Sequence, residues 1–419
     1  MQKKSVVAIL GGGASGVACA IHLKRNLPRL SVTIYEKNEA PLKKLLATGN
    51  GRCNLSNEIL TPDCYYGDPA LVETVLGFGK EAGDRFLTED CLSFFQNLGL
   101  YTLSEEGRIY PRTMSALTVK SILMDEVNRL GIQVKTGFTV TSVEKTEQGF
   151  LVNGTEAADY VVFAMGGKAG AQYGTDGDAY RLLKNFAIRY NPITPALVPM
   201  KVKEDMKALH GVRVRGGISL LKADGTLVRS EQGELQLTDY GVSGIAAMQL
   251  SSPAAVLLKT ETPLLSLDFF PEQSLEYLAE ALLSRMEQVP DEPVSHLLSG
   301  FLQSKLILAV AARAGIDPSL PLSALGVEGL SRLLTAIKGY TLQVTGTKSY
   351  GDAQVTHGGV PQAALKEKSL EAAETENLYF CGELLDVDGI CGGYNLHFAW
   401  GSGCQAAKEI MLKETSCLA

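Results

Sequence analysis

The chain has no Cys-x-x-Cys pair, no His-Glu-x-x-His, no Gly-x-Ser-x-Gly and no Walker loop, and among its 419 residues are only five histidines and one tryptophan. These absences exclude a dithiol redox centre, a zinc hydrolase, a serine-hydrolase elbow and a P-loop enzyme, and no metal site is expected. The eight cysteines stand at 19, 53, 64, 91, 381, 391, 404 and 417, in a chain too long to need disulfide staples, so a reduced cytoplasmic protein is expected. An excess of positive charge is also missing. With 39 basic and 46 acidic residues the net charge is -7, so no nucleic-acid partner is expected. Long apolar runs are absent too. Residues 5–23 carry no charged side chain, but the apolar run Val6–Leu10 stops at three glycines, and 390–407 is broken by glycines, an Asn and a His. Neither suits a membrane span or a signal peptide, and no membrane association is expected.

What is present is apolar and rich in glycine. Hydrophobic residues make up 45% of the chain, enough for a sizeable core in two to four domains. The 43 glycines exceed the usual share of about 7%, and no repeat or low-complexity tract absorbs them. They gather in a few short segments.

Residues 5–37 read as strand, glycine turn, helix and strand, a βαβ unit that opens a parallel sheet. Helical signals follow at 71–98 and 116–130, then short segments resembling a β-meander, then the buried strand of DYVVFAMGG. Beyond about residue 191 alternating segments indicate an antiparallel β-rich insert, and 272–338 has helical periodicity. The last 70 or so residues return to the α/β style. ENLYF at 376–380 reads as an intrinsic strand.

The turn Gly11-Gly12-Gly13-Ala14-Ser15-Gly16 contains Gly-x-Gly-x-x-Gly between a strand and a helix. Gly11 would make the tight turn, Gly13 would admit a pyrophosphate and Gly16 would let helix and strand touch. The helix N-terminus supplies N–H groups and partial positive charge. Glu36, 20 residues after Gly16, suits ribose hydroxyls and would repel a 2'-phosphate, so FAD or NAD is expected rather than NADP. The loop 43–54 could wrap a pyrophosphate and reach a flavin ring. Gly166-Gly167 ends an apolar strand, and Gly392-Gly393-Tyr394-Asn395 opens an apolar helix after Asp386 and Asp388. His357 and His397 are candidate proton donors. No second glycine fingerprint with its own βαβ unit marks a separate nicotinamide domain.

Taken together, GGGASG with Glu36-Lys37, TGNGRCNLSN at 48–57, EEGRIYPRTMSA at 105–116, PALVP at 195–199, THGGV, and GELLDVDGICGGYNLHFAWGSG resemble the HI0933-like flavoprotein family. This family is also described as BaiN/RdsA-type FAD-dependent oxidoreductases, with aminoacetone oxidase-like members. The resemblance is nearly full length and implies an α/β fold: a Rossmann-type FAD-binding domain (1–190 and 345–419) with an inserted β-barrel-like domain (191–271 and 339–344) and a small helical domain (272–338). It implies that Gly11, Gly13, Ser15 and Gly16 hold the pyrophosphate, Glu36 the ribose and Lys37 the adenosine side. Thr48, Gly49, Asn50, Gly51, Arg52, Cys53 and Asn54 would line the pyrophosphate and isoalloxazine, Val140 would contact adenine, and Gly166 and Gly167 would close the site. Gly382, Glu383 and Asp388 would meet the ribityl and phosphate side, and Gly392, Gly393, Tyr394 and Asn395 the flavin ring.

The chain departs from the family pattern at Gln236 and Asp239 in GELQLTDYG and in GGKAGAQ, which places the substrate class in doubt. The leading expectation is hydride transfer through flavin N5, as an NAD(P)H-linked reductase of an unsaturated small organic substrate. The family alone motivates the nicotinamide donor. An oxygen-using amine or aminoketone oxidase and a non-enzymatic FAD-binding or RNA-associated protein stand as alternatives. Hydride transfer needs position more than a signature side chain, so no catalytic base is assigned; Arg52, Tyr394 and His397 are the candidates. The sequence carries no signal for oligomeric state.

Overall fold

A computed structural model describes residues 4–81 and 83–416. The chain forms two compact units, one running up to Thr194 and resuming at Gln354, the other Pro195–Ala353.

The first unit is built on a five-stranded parallel sheet in the order Leu378–Phe380, Tyr160–Phe163, β1 (Val6–Leu10), β2 (Ser31–Tyr35), Gln133–Lys135. Both faces of such a sheet are covered, so its strands are apolar without alternation, as Val7 to Leu10 and Tyr160 to Phe163 show by being buried throughout. The register aligns Leu10 with Tyr35 and Phe163, and Phe163 with Phe380. The segments that follow those four residues therefore leave the sheet at one level and one edge, the carboxyl end where α/β folds bind ligands.

Between β1 and β2 runs α1 (Ala14–Asn26), with nearly every residue up to Leu23 buried. The last helix, Tyr394–Ser416, lies directly on it: a Cβ at Gly403 would sit 2.2 Å from the Ser15 carbonyl oxygen. Of the meander read from the sequence, 143–158 forms a three-stranded antiparallel sheet, whereas Gln133–Lys135 instead extends the parallel sheet beside β2. Of the segment read as an intrinsic strand, 376–380, Leu378–Phe380 forms one and pairs with Tyr160–Phe163.

The second unit contains a closed six-stranded antiparallel barrel in the order Met200–Val202, Gly241–Ser243, Leu227–Leu237, Arg213–Leu221, Leu264–Asp268, Tyr340–Thr347. Alternate positions such as Leu235 and Leu237, Leu265 and Leu267, and Leu342 and Val344 are buried, as expected when one face of every strand turns inward. Helices Leu275–Gln288, Ser304–Ala314 and Leu322–Lys338 belong to the same unit. The sequence reading treats 272–338 as a separate piece; in the structure its leucines and those of the barrel form one continuous hydrophobic cluster. Among the described residues no helix is long and apolar enough to cross a membrane.

Candidate active site

Four segments meet at the carboxyl edge of the parallel sheet. Gly11 leaves β1 with φ +107°, and a Cβ there would lie 2.4 Å from the Ala164 carbonyl oxygen, so only glycine suits this turn. A Cβ at Gly16 would lie 2.1 Å from the Gly11 carbonyl oxygen, which locks helix against turn. Gly13 has open space where its Cβ would be. It caps α1 with no side-chain hydrogen bond, and the first turn has no acidic residue. An uncapped helix N-terminus facing open space is the cradle a pyrophosphate fills.

Glu36 is buried and reaches back to this turn. Its Oε2 accepts the Gly12 N–H at 2.8 Å, and its Oε1 accepts the Asn38 backbone and side-chain N–H groups at 2.8 and 2.7 Å. A carboxylate offers about four lone-pair positions, so capacity remains for one ribose hydroxyl. Lys37 turns elsewhere and pairs with Asp176 and Asp178, both at 3.0 Å. Val140 is buried in the core of this unit, a few residues past Phe138, whose N–H bonds the Glu36 carbonyl.

Gly167 and Gly382 pack closely across the same edge. A Cβ on Gly167 would strike Thr356 Oγ1 and Glu383 Oε1, and one on Gly382 would strike Ser15 Oγ. Gly166 takes φ +73° beside Thr175. Glu383 accepts from the Thr356 N–H at 2.9 Å and from Lys44 Nζ at 2.8 Å, while Lys44 also bonds the Ala169 carbonyl. This pin ties the loop that begins at Lys44 to the sheet edge. The sequence placed Lys44 in the loop 43–54 and Thr356 in THGGV but gave neither its partner, because a contact between residues 44 and 383 leaves no local trace.

The loop itself is tightly wound. Gly49, Asn50 and Gly51 take φ of +57°, +54° and +82°, and Cys53 takes +61°. The Arg52 and Cys53 N–H groups bond the Gly49 and Thr48 carbonyls, and Thr48 Oγ1 donates to Leu45. Arg52 sits over the Tyr110 ring at 4.7 Å and pairs with Glu105 at 3.2 Å. Cys53 is wholly buried, and burial pushes its thiol up to about 12, so it has no thiolate character near neutral pH. Asn54 Oδ1 is buried with no protein donor.

The GGYN turn meets this loop. A Cβ on Gly393 (φ +97°) would lie 2.4 Å from the Ser56 carbonyl oxygen and 2.7 Å from Asn54 Oδ1. Asn57 Nδ2 donates to the Gly392 carbonyl at 2.9 Å. Asn395 bonds the backbone of Gly389 through both ends of its amide, at 2.8 and 2.7 Å. Tyr394 is buried edge-on against Tyr65, ring centroids 5.9 Å apart, and burial raises its phenol, with a Cys64 hydrogen bond adding to the effect.

Two histidines separate here. His357 Nδ1 lies 2.6 Å from Oδ1 of the buried Asp388, so Asp388 orients an imidazole. His397 is fully buried. Its Nε2 lies 2.7 Å from the Phe86 carbonyl and its Nδ1 2.8 Å from Ser56 Oγ. Because a carbonyl only accepts, Nε2 carries the proton and Nδ1 accepts from the serine. Burial holds the imidazole down at about 4. The expectation of His397 as a proton donor is therefore corrected: both nitrogens are consumed by packing, and the ring is neutral at working pH.

A βα turn with an open pyrophosphate cradle, a buried carboxylate beside it and two glycine segments tied to the same sheet edge fit FAD. The profile described as "HI0933-like protein Rossmann domain" matches residues 5–409. The chain belongs to the HI0933-like family. It is an FAD-dependent oxidoreductase with a Rossmann-type FAD-binding domain and an inserted barrel. It is similar to the 3-dehydro-bile acid delta(4,6)-reductase of Clostridium scindens, 36% identical over 96% of this chain and 98% of the relative. It is also similar to the ribosomal RNA dihydrouridine synthase of Escherichia coli, 28% identical over 97% and 98% of the two chains. A solved 3-ketosteroid delta1-dehydrogenase from Sterolibacterium denitrificans aligns with 98% of this chain and 100% of its own at 13% identity, TM-score 0.43.

Proposed function

We propose that this protein saturates a carbon–carbon double bond conjugated to a carbonyl in a small organic substrate, with NAD(P)H as the reductant of its flavin. The similarity to the bile acid reductase along almost the full length of both chains carries this reading. Its name describes reduction of an unsaturated 3-oxo compound. Bound FAD supplies the hydride chemistry at N5. The chain's own residues bind and orient. The α1 N-terminus and the Gly11–Gly16 turn would hold the pyrophosphate, Glu36 would take a ribose hydroxyl, and the loop 48–54 with Gly392, Gly393, Tyr394 and Asn395 would enclose the ring. His357, fixed by Asp388, is the titratable group at this edge suited to move a proton; Arg52 and Tyr394 shape the enclosure.

A second reading is reduction of a uracil ring in RNA, which the dihydrouridine synthase relative favours. A net charge of -7 gives it no broad electrostatic support. Anaerobic mixing of the FAD-loaded protein with NADH and with NADPH tests the donor, and bleaching of the flavin band is expected with one of them. Reoxidation by a 3-oxo-4-ene steroid, but not by undermodified ribosomal RNA, supports the leading reading. The reverse result selects the RNA reading. Peroxide formed from amines without any nicotinamide overturns both.

A further inference from the structure

Arg108 lies on the strand Arg108–Pro111, central in a three-stranded sheet between Ser56–Asn57 and Thr102–Glu105. Side chains two apart on a strand share a face, so Arg108 and Tyr110 project together. Arg52 stacks on Tyr110 and takes the carboxylate of Glu105. Glu105 is also the residue directly across from Arg108 in the strand register. Two guanidinium groups thus share one acid, and Arg52 has it.

Arg108 is half-buried and makes no side-chain hydrogen bond or ion pair among the described residues. The other nearby acids, Glu58 and Glu106, are exposed and engage neither arginine. A guanidinium that has lost part of its hydration without gaining an acceptor stands in need of an anion. Its surroundings say where that anion would be. The partner of Arg108 on its other side is Asn57, whose amide grips Gly392, and the Arg108 charge acts on the phenol of Tyr394, opposing the rise caused by burial.

We propose that Arg108 anchors a carboxylate carried by the substrate, holding it beside the Gly392–Tyr394 turn. Carboxylate is the matching chemistry because the planar fork of arginine receives both of its oxygens in parallel. This deepens the proposed function and rests on the placement of that turn at the flavin ring.

The test uses the FAD-loaded protein in its oxidised state, so it needs no turnover. Cinnamate and its neutral analogue cinnamamide are titrated while the flavin absorption spectrum is followed, and affinities are checked by calorimetry. Cinnamate is expected to bind more tightly than cinnamamide. Arg108→Gln is expected to weaken cinnamate by about ten- to a hundredfold, the worth of one charged hydrogen-bonded contact, and to leave cinnamamide unchanged. Arg108→Lys should recover part of the loss. Equal binding of the two probes, no binding of either, or unchanged cinnamate affinity in Arg108→Gln overturns the proposal. Loss of FAD from that variant also overturns it, since a substrate anchor is not a cofactor ligand. Cinnamate binding without flavin bleaching by either nicotinamide leaves the anchor standing and removes NAD(P)H as the donor in the proposed function.

Discussion

His397 and His22 are both held neutral by burial, each down at about 4 from an ordinary value of 6.5. Below 6.5 the unfolded chain takes up these protons while the folded chain does not, so stability falls as pH drops from about 6.5 toward 4. Each shift corresponds to roughly 3 kcal/mol at its limit. Chemical denaturation at pH 7 and pH 4.5 should show this loss. Replacing His397 with Gln, which keeps a donor and an acceptor, should flatten the pH dependence by about half while lowering stability at pH 7. At the Gly11–Gly16 turn the constraint is steric. Gly16→Ala places a methyl group 2.1 Å from the Gly11 carbonyl oxygen. Relieving that clash by shifting α1 should cost about 1 to 3 kcal/mol and lower FAD content per chain, measured by absorbance after gel filtration.

Among elements, the loop from Lys44 to Asn57 depends on contacts far away in sequence. Its left-handed residues are stable only where the surroundings hold them. The surroundings here are Glu383 and Ala169 gripping Lys44, and Gly392 gripped by Asn57. Lys44→Met leaves the half-buried Glu383 without its cation. A loss of about 1 to 2 kcal/mol is expected, with faster proteolysis between residues 44 and 57 as the readout. The motif TGNGRCN was legible in the sequence as a tight glycine-bearing loop, but not what holds it. His397 is the converse case: its residue type suggested chemistry, and only its burial between Ser56 and Phe86 showed that it serves packing.

For the whole molecule, FAD binds folded protein and not the unfolded chain, so it should raise the unfolding free energy by about 2.7 kcal/mol at a free concentration of a hundred times Kd. Thermal melts of the FAD-stripped and FAD-loaded forms check this; coincident melts would mean that the cradle at α1 does not engage the cofactor.

The sequence by itself determined the βαβ opening, the tight glycine turn at Gly11 and Gly16 and the β-rich insert. These are written in local periodicity and in residues whose backbone or charge requirements act over a few positions. Only the tertiary structure decided that Lys44 meets Glu383, that Asp388 orients His357, and that Arg108 loses its cross-strand acid to Arg52. Those outcomes depend on which geometry lets each side chain reach a shared partner once distant segments are brought together, and that competition has no period and no motif.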